Sequence, residues 1–76
     1  MADKSLDARN LNCPLPILKA KKALSEVAPG GTLEVFATDP GSVADFESFC
    51  EAAGHTLLEK HTGAGGVFRF LIRRAA

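Results

Sequence analysis

The sequence predicts an α/β (α+β) fold, a two-layer sandwich in which a four-stranded mixed sheet, built in the order β-α-β-α-β-β, carries two helices on one face. Three observations predict it. Four short stretches have strand-like composition and alternation, two stretches with apolar residues at i, i+3, i+7 and i+10 separate the first three of them, and a glycine-rich turn separates the last two. If the first three strands are parallel and their helical crossovers right-handed, both helices cover the same face and the other face stays partly open. At 76 residues the chain is one domain, residues 1–76, near the size at which a single hydrophobic core only just sustains a fold.

Each element has its own signal. In "KSLDAR" the apolar Leu6 and Ala8 alternate with Asp7 and Arg9, which reads as an opening strand. From Pro14 onward, Ile17, Ala20, Leu24 and Val27 mark one buried stripe of a helix that Pro29-Gly30-Gly31 ends. "TLEVFAT", Thr32 to Thr38, is β-branched and aromatic, with Leu33, Val35 and Ala37 on one face. A second helix starts with Asp39 as N-cap before Pro40, or with Ser42 as N-cap and Asp45 three residues on. Its stripe is Val43, Phe46, Cys50 and Ala53, and Gly54 supplies a left-handed stop. "HTLLEKHT" and "VFRFLIRR" flank Thr62 to Gly66 as a hairpin with a turn of four to five residues. In its last strand Phe68, Phe70 and Ile72 face the helices, while Val67, Arg69, Leu71 and Arg73 face outward. Leu71 and Phe36 then stand on the open face as scattered surface apolars.

Composition excludes several function classes. An apolar fraction of 46% beside 24% charged residues belongs to a folded soluble domain and is too apolar for a disordered tail. Nine basic and nine acidic residues cancel, so there is no overall positive field of the kind nucleic-acid binders carry, and no direct nucleic-acid partner is expected. "MADKSLDARN" lacks the apolar run of a signal peptide, and no stretch approaches the roughly 18 apolar residues of a membrane span. A cytoplasmic protein with no membrane partner, monomeric and without a bound cofactor, is the expectation. Cys13 and Cys50 are the only cysteines, too few for a disulfide framework, and both are read as thiols.

Cys13 stands at the head of helix one, just past the carboxyl end of the first strand, where open α/β sheets place their ligand chemistry. With Pro14 at the first helical position, Cys13 becomes the N-cap, beside the positive end of the helix dipole and its unpaired amides. Both effects favour thiolate over thiol. Pro14 and Pro16 remove donors that would be orphaned anyway and stiffen the turn. Lys19, Lys21 and Lys22 add positive charge along the same helix. The residues alone leave two roles for Cys13, a reactive thiol or a small buried hydrophobe, and position favours the first. Cys50, on the apolar stripe of helix two, reads as core, and about 12 Å of helix separates it from the end where Cys13 lies.

Other constellations are weaker. His55 and His61 fall on one face of a strand but about 20 Å apart, too far to share a metal ion. "GAGG" joins two strands and lacks the Lys-Ser/Thr of a phosphate loop.

"LDARNLNCPLP", with Cys-Pro-X-Pro at the start of helix one, an Asp-Pro opening helix two and a closing "FRFLIRR", resembles the TusA-like (SirA-like) sulfur-carrier family from about Leu6 to Arg74. The resemblance implies that Cys13 accepts a sulfane sulfur as a persulfide from a cysteine desulfurase or rhodanese-like donor. It then relays that sulfur to a downstream acceptor protein, in tRNA thiolation, cofactor biosynthesis or oxidative sulfur metabolism. Such a chain is a sulfurtransferase-type carrier whose partner completes the active site, not a self-contained enzyme. Pro14 and Pro16 support the motif, and Lys19, Lys21, Lys22 and Asp39 are the candidates for partner contact. Family members commonly have glycine where this chain has Asn10, and asparagine is the residue next most tolerant of a left-handed backbone. The rival readings are a small regulatory or nucleic-acid-binding module with a structural Cys13, and a thiol redox protein. Zero net charge without Trp or Tyr argues against the first, and the lack of a resolving cysteine beside Cys13 against the second.

Overall fold

A computed structural model describes residues 3–75. The elements are β1 (Lys4–Ala8), α1 (Leu15–Ser25), β2 (Thr32–Ala37), α2 (Ser42–Ala53), β3 (Thr56–Thr62) and β4 (Phe68–Arg73), with a single 3-10 turn, Ala64–Gly66, inside the last connection. The sheet order is β1-β2-β4-β3. β1 and β2 are parallel, and β4 runs antiparallel between β2 and β3. The two-layer mixed sheet is therefore as expected, with the last strand at its interior and β1 and β3 as edges. α1 packs on β1 and β2, α2 packs on β3 and β4, and the helices touch each other.

Alternation decides which face is covered. Leu33, Val35 and Ala37 of β2 and Phe70 and Ile72 of β4 have no exposed surface, and with Ala8, Ala20, Leu24, Phe46 and Cys50 they form one core under the helices. The rings of Phe46 and Phe70 stack at its centre, 4.7 Å apart. On the opposite face Arg69 binds Glu34 at 2.5 Å and Glu59 at 3.1 Å, and His61 meets the same Glu59 at 3.1 Å. This charged row crosses β2, β4 and β3 beside the half-buried Phe36 and Leu71.

Four expectations change at the level of caps, packing and register. α1 begins one residue later than its first proline, with Pro14 as N-cap and Pro16 inside the first turn. Neither Asp39 nor Ser42 caps α2; Gly41 does, while the Asp39 carboxylate accepts the Gly41 N–H at 3.1 Å in a turn just ahead of the helix. The buried stripe of α2 stops at Cys50, because Ala53 is exposed and Phe49 fills in against His55 instead. In β3 a bulge at Leu58 puts Leu57 opposite Ile72 and Glu59 opposite Leu71. One extra residue reverses the parity of a strand, so His55 lies against Phe49 on the helix side while His61 joins the charged row on the open face. The two histidines do not share a face.

Gly54 ends α2 as expected, at φ 79°, with nothing within 4 Å of a Cβ built there. Gly54→Ala should therefore cost only the backbone penalty, about 1 kcal/mol, read as a fall in Tm of about 4–8 °C for a domain this small. Gly31→Ala should cost more. Its Cβ would come within 2.6 Å of the Val27 side chain, 2.7 Å of Asp3 Oδ2 and 2.9 Å of the Ala28 carbonyl, so both side chain and backbone would have to move.

Candidate functional site

β1 and β2 end together, Ala8 opposite Ala37, so the two chains that leave them run side by side over the same sheet edge. Asn10, at φ 65°, turns the first of these, and its N–H donates to Thr38 Oγ1 of the second at 2.8 Å. The asparagine does what its tolerance of a left-handed backbone permits. Beyond it, the Leu15 N–H closes a turn on the Asn12 carbonyl at 2.8 Å, with Cys13 and a cis-linked Pro14 between them. Cys13 is exposed at the crest of that turn.

Its surroundings differ from those expected for an N-cap thiol. Cys13 precedes the N-cap, Pro14 and Pro16 have no N–H to offer, and the Leu15 N–H is spent on Asn12. The helix start thus has little with which to favour a thiolate. Across the gap stands the opening of α2. The Asp45 carboxylate, placed to accept a hydrogen bond from the Cys13 thiol, raises the pKa of that thiol, helped by partial desolvation and by the charges of Asp45 and Asp39. The shift runs opposite to the one expected toward thiolate, with the Asp45 carboxylate as its largest cause.

The three lysines do not gather around the sulfur. Lys21 lines a groove with Phe49, Ala53, His55 and Arg74, toward the end of the helices remote from Cys13. Lys22 sits in the last turn, where its charge acts on Glu26, itself paired with Lys4 at 2.8 Å. Lys19 is exposed about one turn before Lys22. Pro14 is exposed, whereas Pro16 is buried against the core, so the second proline anchors the turn that the first one opens. Asp39 is half-buried beside Cys13, with its carboxylate turned onto Gly41.

One further feature was within reach of the sequence and another was not. Leu15 and Leu18 are 45% and 53% exposed. They lie three apart and off the Ile17-Ala20-Leu24 stripe, which is the pattern of a second, outward apolar face next to Cys13. Asp45 was read only as a capping residue, and nothing local to helix one points to it.

Cys50 is the contrasting thiol. It is 3% exposed, and burial pushes its pKa up to about 11 from an ordinary 9.0. The folded state holds this proton more tightly than the unfolded chain does. The stability it contributes is complete below pH 9 and is lost as pH rises through 11, by about 2–3 kcal/mol. Urea unfolding just below pH 9 and at pH 11 should show that fall, and a Cys50→Ala variant should show less of it.

A family model described as sulfurtransferase TusA matches residues 4–74. Over 73 residues the chain is 52% identical to the sulfur carrier protein TusA of Allochromatium vinosum, which covers 96% of this chain and 95% of that one. It is 42% identical over 74 residues to the sulfur carrier protein TusA of Pseudomonas paraeruginosa, covering 97% and 92%. The crystal structure of a SirA-like protein from Desulfitobacterium hafniense superposes with a TM-score of 0.83 at 27% identity, covering 96% of this chain and 99% of that one.

Proposed function

The chain belongs to the TusA family of sulfur carriers, and from that premise we propose that Cys13 carries the sulfur as a persulfide between a donor protein and an acceptor protein. The observation that carries the reading is the placement of Cys13: the one exposed cysteine, at the crest of a proline-stiffened turn on the sheet edge where two parallel strands end. Loading is a thiol exchange. Cys13 sulfur attacks the outer sulfur of the donor persulfide, the donor S–S bond breaks, and the donor cysteine leaves as a thiolate that takes up the proton Cys13 gave up. One sulfur atom moves and nothing is oxidised or reduced overall. Delivery repeats the step with the carrier as donor.

Such chemistry requires an accessible sulfur and a partner that fits around it, and the surroundings of Cys13 suit docking. Leu15 and Leu18 offer apolar surface on one side, with Lys19 and Lys22 along the same exposed helix face. Asp39 offers negative charge on the other, and Lys21 would reach only a partner that extends along the helix groove. Charged contacts of this kind steer encounter and orientation more than they add affinity. Cysteine desulfurases and rhodanese-like proteins are the donor classes, and tRNA thiolation, cofactor biosynthesis or sulfur oxidation the destinations.

Intact-mass spectrometry after incubation with cysteine and a cysteine desulfurase tests the reading. A gain of one sulfur atom, removed by reductant and mapped to the peptide containing Cys13, is the expected result. No adduct from a desulfurase or from a rhodanese charged with thiosulfate would overturn it.

A further inference from the structure

The segment that carries Cys13, residues 9–14, is held at its ends by the two elements it joins and between them by little else. Arg9 turns back on Asp7 of β1, and the Pro14 carbonyl accepts the Leu18 N–H of α1 at 3.1 Å. Leu11 packs half-buried against the core, whereas Asn10, Asn12, Cys13 and Pro14 are exposed. Among the described residues a single hydrogen bond ties the segment to anything beyond β1 and α1, from the Asn10 N–H to Thr38 Oγ1 at 2.8 Å. Thr38 is a firm anchor. It directly follows Ala37, which has no exposed surface and pairs with Ala8. It is itself half-buried, and a β-branched side chain has few rotamers to choose from. The bond falls on Asn10, whose φ of 65° is one that few residues other than glycine adopt. The hydroxyl therefore grips the segment at its least ordinary backbone position, three residues before the sulfur.

Resting on the reading of Cys13 as the sulfur carrier, we propose that Thr38 is a positioning residue: by holding the Asn10 N–H, its hydroxyl fixes the turn from which Cys13 meets the sulfur of a partner protein. The exchange requires the Cys13 sulfur to reach the outer sulfur of the donor persulfide, inside a complex whose geometry the two proteins set together. A small misplacement of a reacting atom slows such a step steeply. Without the Thr38 hydroxyl, Asn10 is free to leave the left-handed region for the broader ones open to any residue, and Cys13 moves with it. The docking surface does not move. Leu15 and Leu18 ride on α1, whose first turn is anchored by the buried Pro16, so a partner would seat as before and find the sulfur displaced. Thr38 touches neither the sulfur nor the partner in this scheme; it acts through Asn10 alone.

The test compares parent, Thr38→Val, which removes the hydroxyl at nearly constant shape, and Thr38→Ser, which keeps it. Hydrogen exchange of the Asn10 amide reads the bond itself: slow in parent and Thr38→Ser, fast in Thr38→Val. Sulfur transfer is then followed in single turnovers from a cysteine desulfurase charged beforehand as its persulfide, with the carrier concentration varied. In Thr38→Val the maximal rate should fall by about two- to tenfold, the range that one hydrogen bond spans, while the half-saturating concentration stays at the parent value. Thr38→Ser should restore the rate. Alkylation of Cys13 by iodoacetamide, a small reagent that approaches from any side, should be unchanged in both variants. That split is the signature, since a general loosening of the fold would move docking, transfer and alkylation together. Parent-like transfer in Thr38→Val, an Asn10 amide still protected there, or an alkylation rate that changes in step with transfer would each overturn the proposal. If Thr38→Val melts below the assay temperature, Thr38→Ala removes the same hydroxyl and carries the same readings. Absence of transfer in the parent, from this donor and from a rhodanese charged with thiosulfate, overturns the carrier reading and the role of Thr38 with it, whereas equal transfer by parent and Thr38→Val overturns the role of Thr38 alone.

Discussion

Cys13→Ser abolishes sulfur loading and leaves the fold as it was. The expected mass gain on incubation with a desulfurase disappears completely, since a serine hydroxyl is not ionised near neutral pH and lacks the polarisable sulfur through which thiol exchange proceeds. Stability changes by less than about 0.5 kcal/mol, as for other surface replacements, because the Cys13 side chain is exposed and takes no part in the core. Cys50→Ser is the opposite case. That residue is 3% exposed within the core, and replacing its sulfur by a hydroxyl buries a polar group in place of an apolar one, which costs about 1–3 kcal/mol. Loading of Cys50→Ser at a temperature where it is folded should match the parent. Intact mass and thermal melts on the two variants separate a carrier thiol from a structural one. An adduct that survives in Cys13→Ser and is lost in Cys50→Ser would reverse the assignment.

How far the sequence foretold this depends on the range of the interaction concerned. The strand and helix pattern was legible because it rests on periodicity. Leu33, Val35 and Ala37 could face the core only if their neighbours faced out, and Phe70 and Ile72 followed the same parity to complete burial. Asn10 at positive φ and Gly54 as a left-handed cap were legible too, since each is a property of one residue in its own turn. Parity breaks at the β3 bulge, and no composition signal marks Leu58 as the extra residue. Its presence follows from pairing with β4 and was therefore outside what "HTLLEKHT" alone specifies. The insertion of β4 between β2 and β3 is a long-range choice of the same kind.

The site divides along the same line. The exposure of Cys13 and its place on the carboxyl edge of the sheet follow from topology, and topology was legible. Its acidity was not, because it depends on Asp45, 32 positions away in sequence, and on a local fact that the prolines conceal. Pro14 and Pro16 are legible as stiffeners of the turn, yet by lacking N–H groups they also remove part of what would have stabilised a thiolate. The lysines show why direction matters as well as spacing. Three positive charges on one short helix look like a patch in the sequence, but positions 19, 21 and 22 spread around an α-helix at 100° per residue, and only Lys19 and Lys22 share a face with Leu15 and Leu18. A charge run on a helix is a statement about a cylinder, and the direction of each side chain decides its neighbours.

Phe46→Ala should be the most damaging single core replacement. Phe46 has no exposed surface and stacks on Phe70 at 4.7 Å, joining α2 to the central strand β4. Removing a buried phenyl ring of this kind costs about 3–5 kcal/mol, while a 76-residue domain has about 4–11 kcal/mol in all. About a quarter or more of the stability is lost, so the variant is expected to be partly unfolded at 37 °C. Phe46→Leu, which keeps most of the volume, should cost less than about 2 kcal/mol and stay folded. Urea denaturation followed by circular dichroism checks both, with the midpoint falling in the order parent, Leu, Ala and the slope unchanged. A loss below about 1 kcal/mol in Phe46→Ala would mean that α2 closes over the gap and that the stacked pair does not hold the layers together.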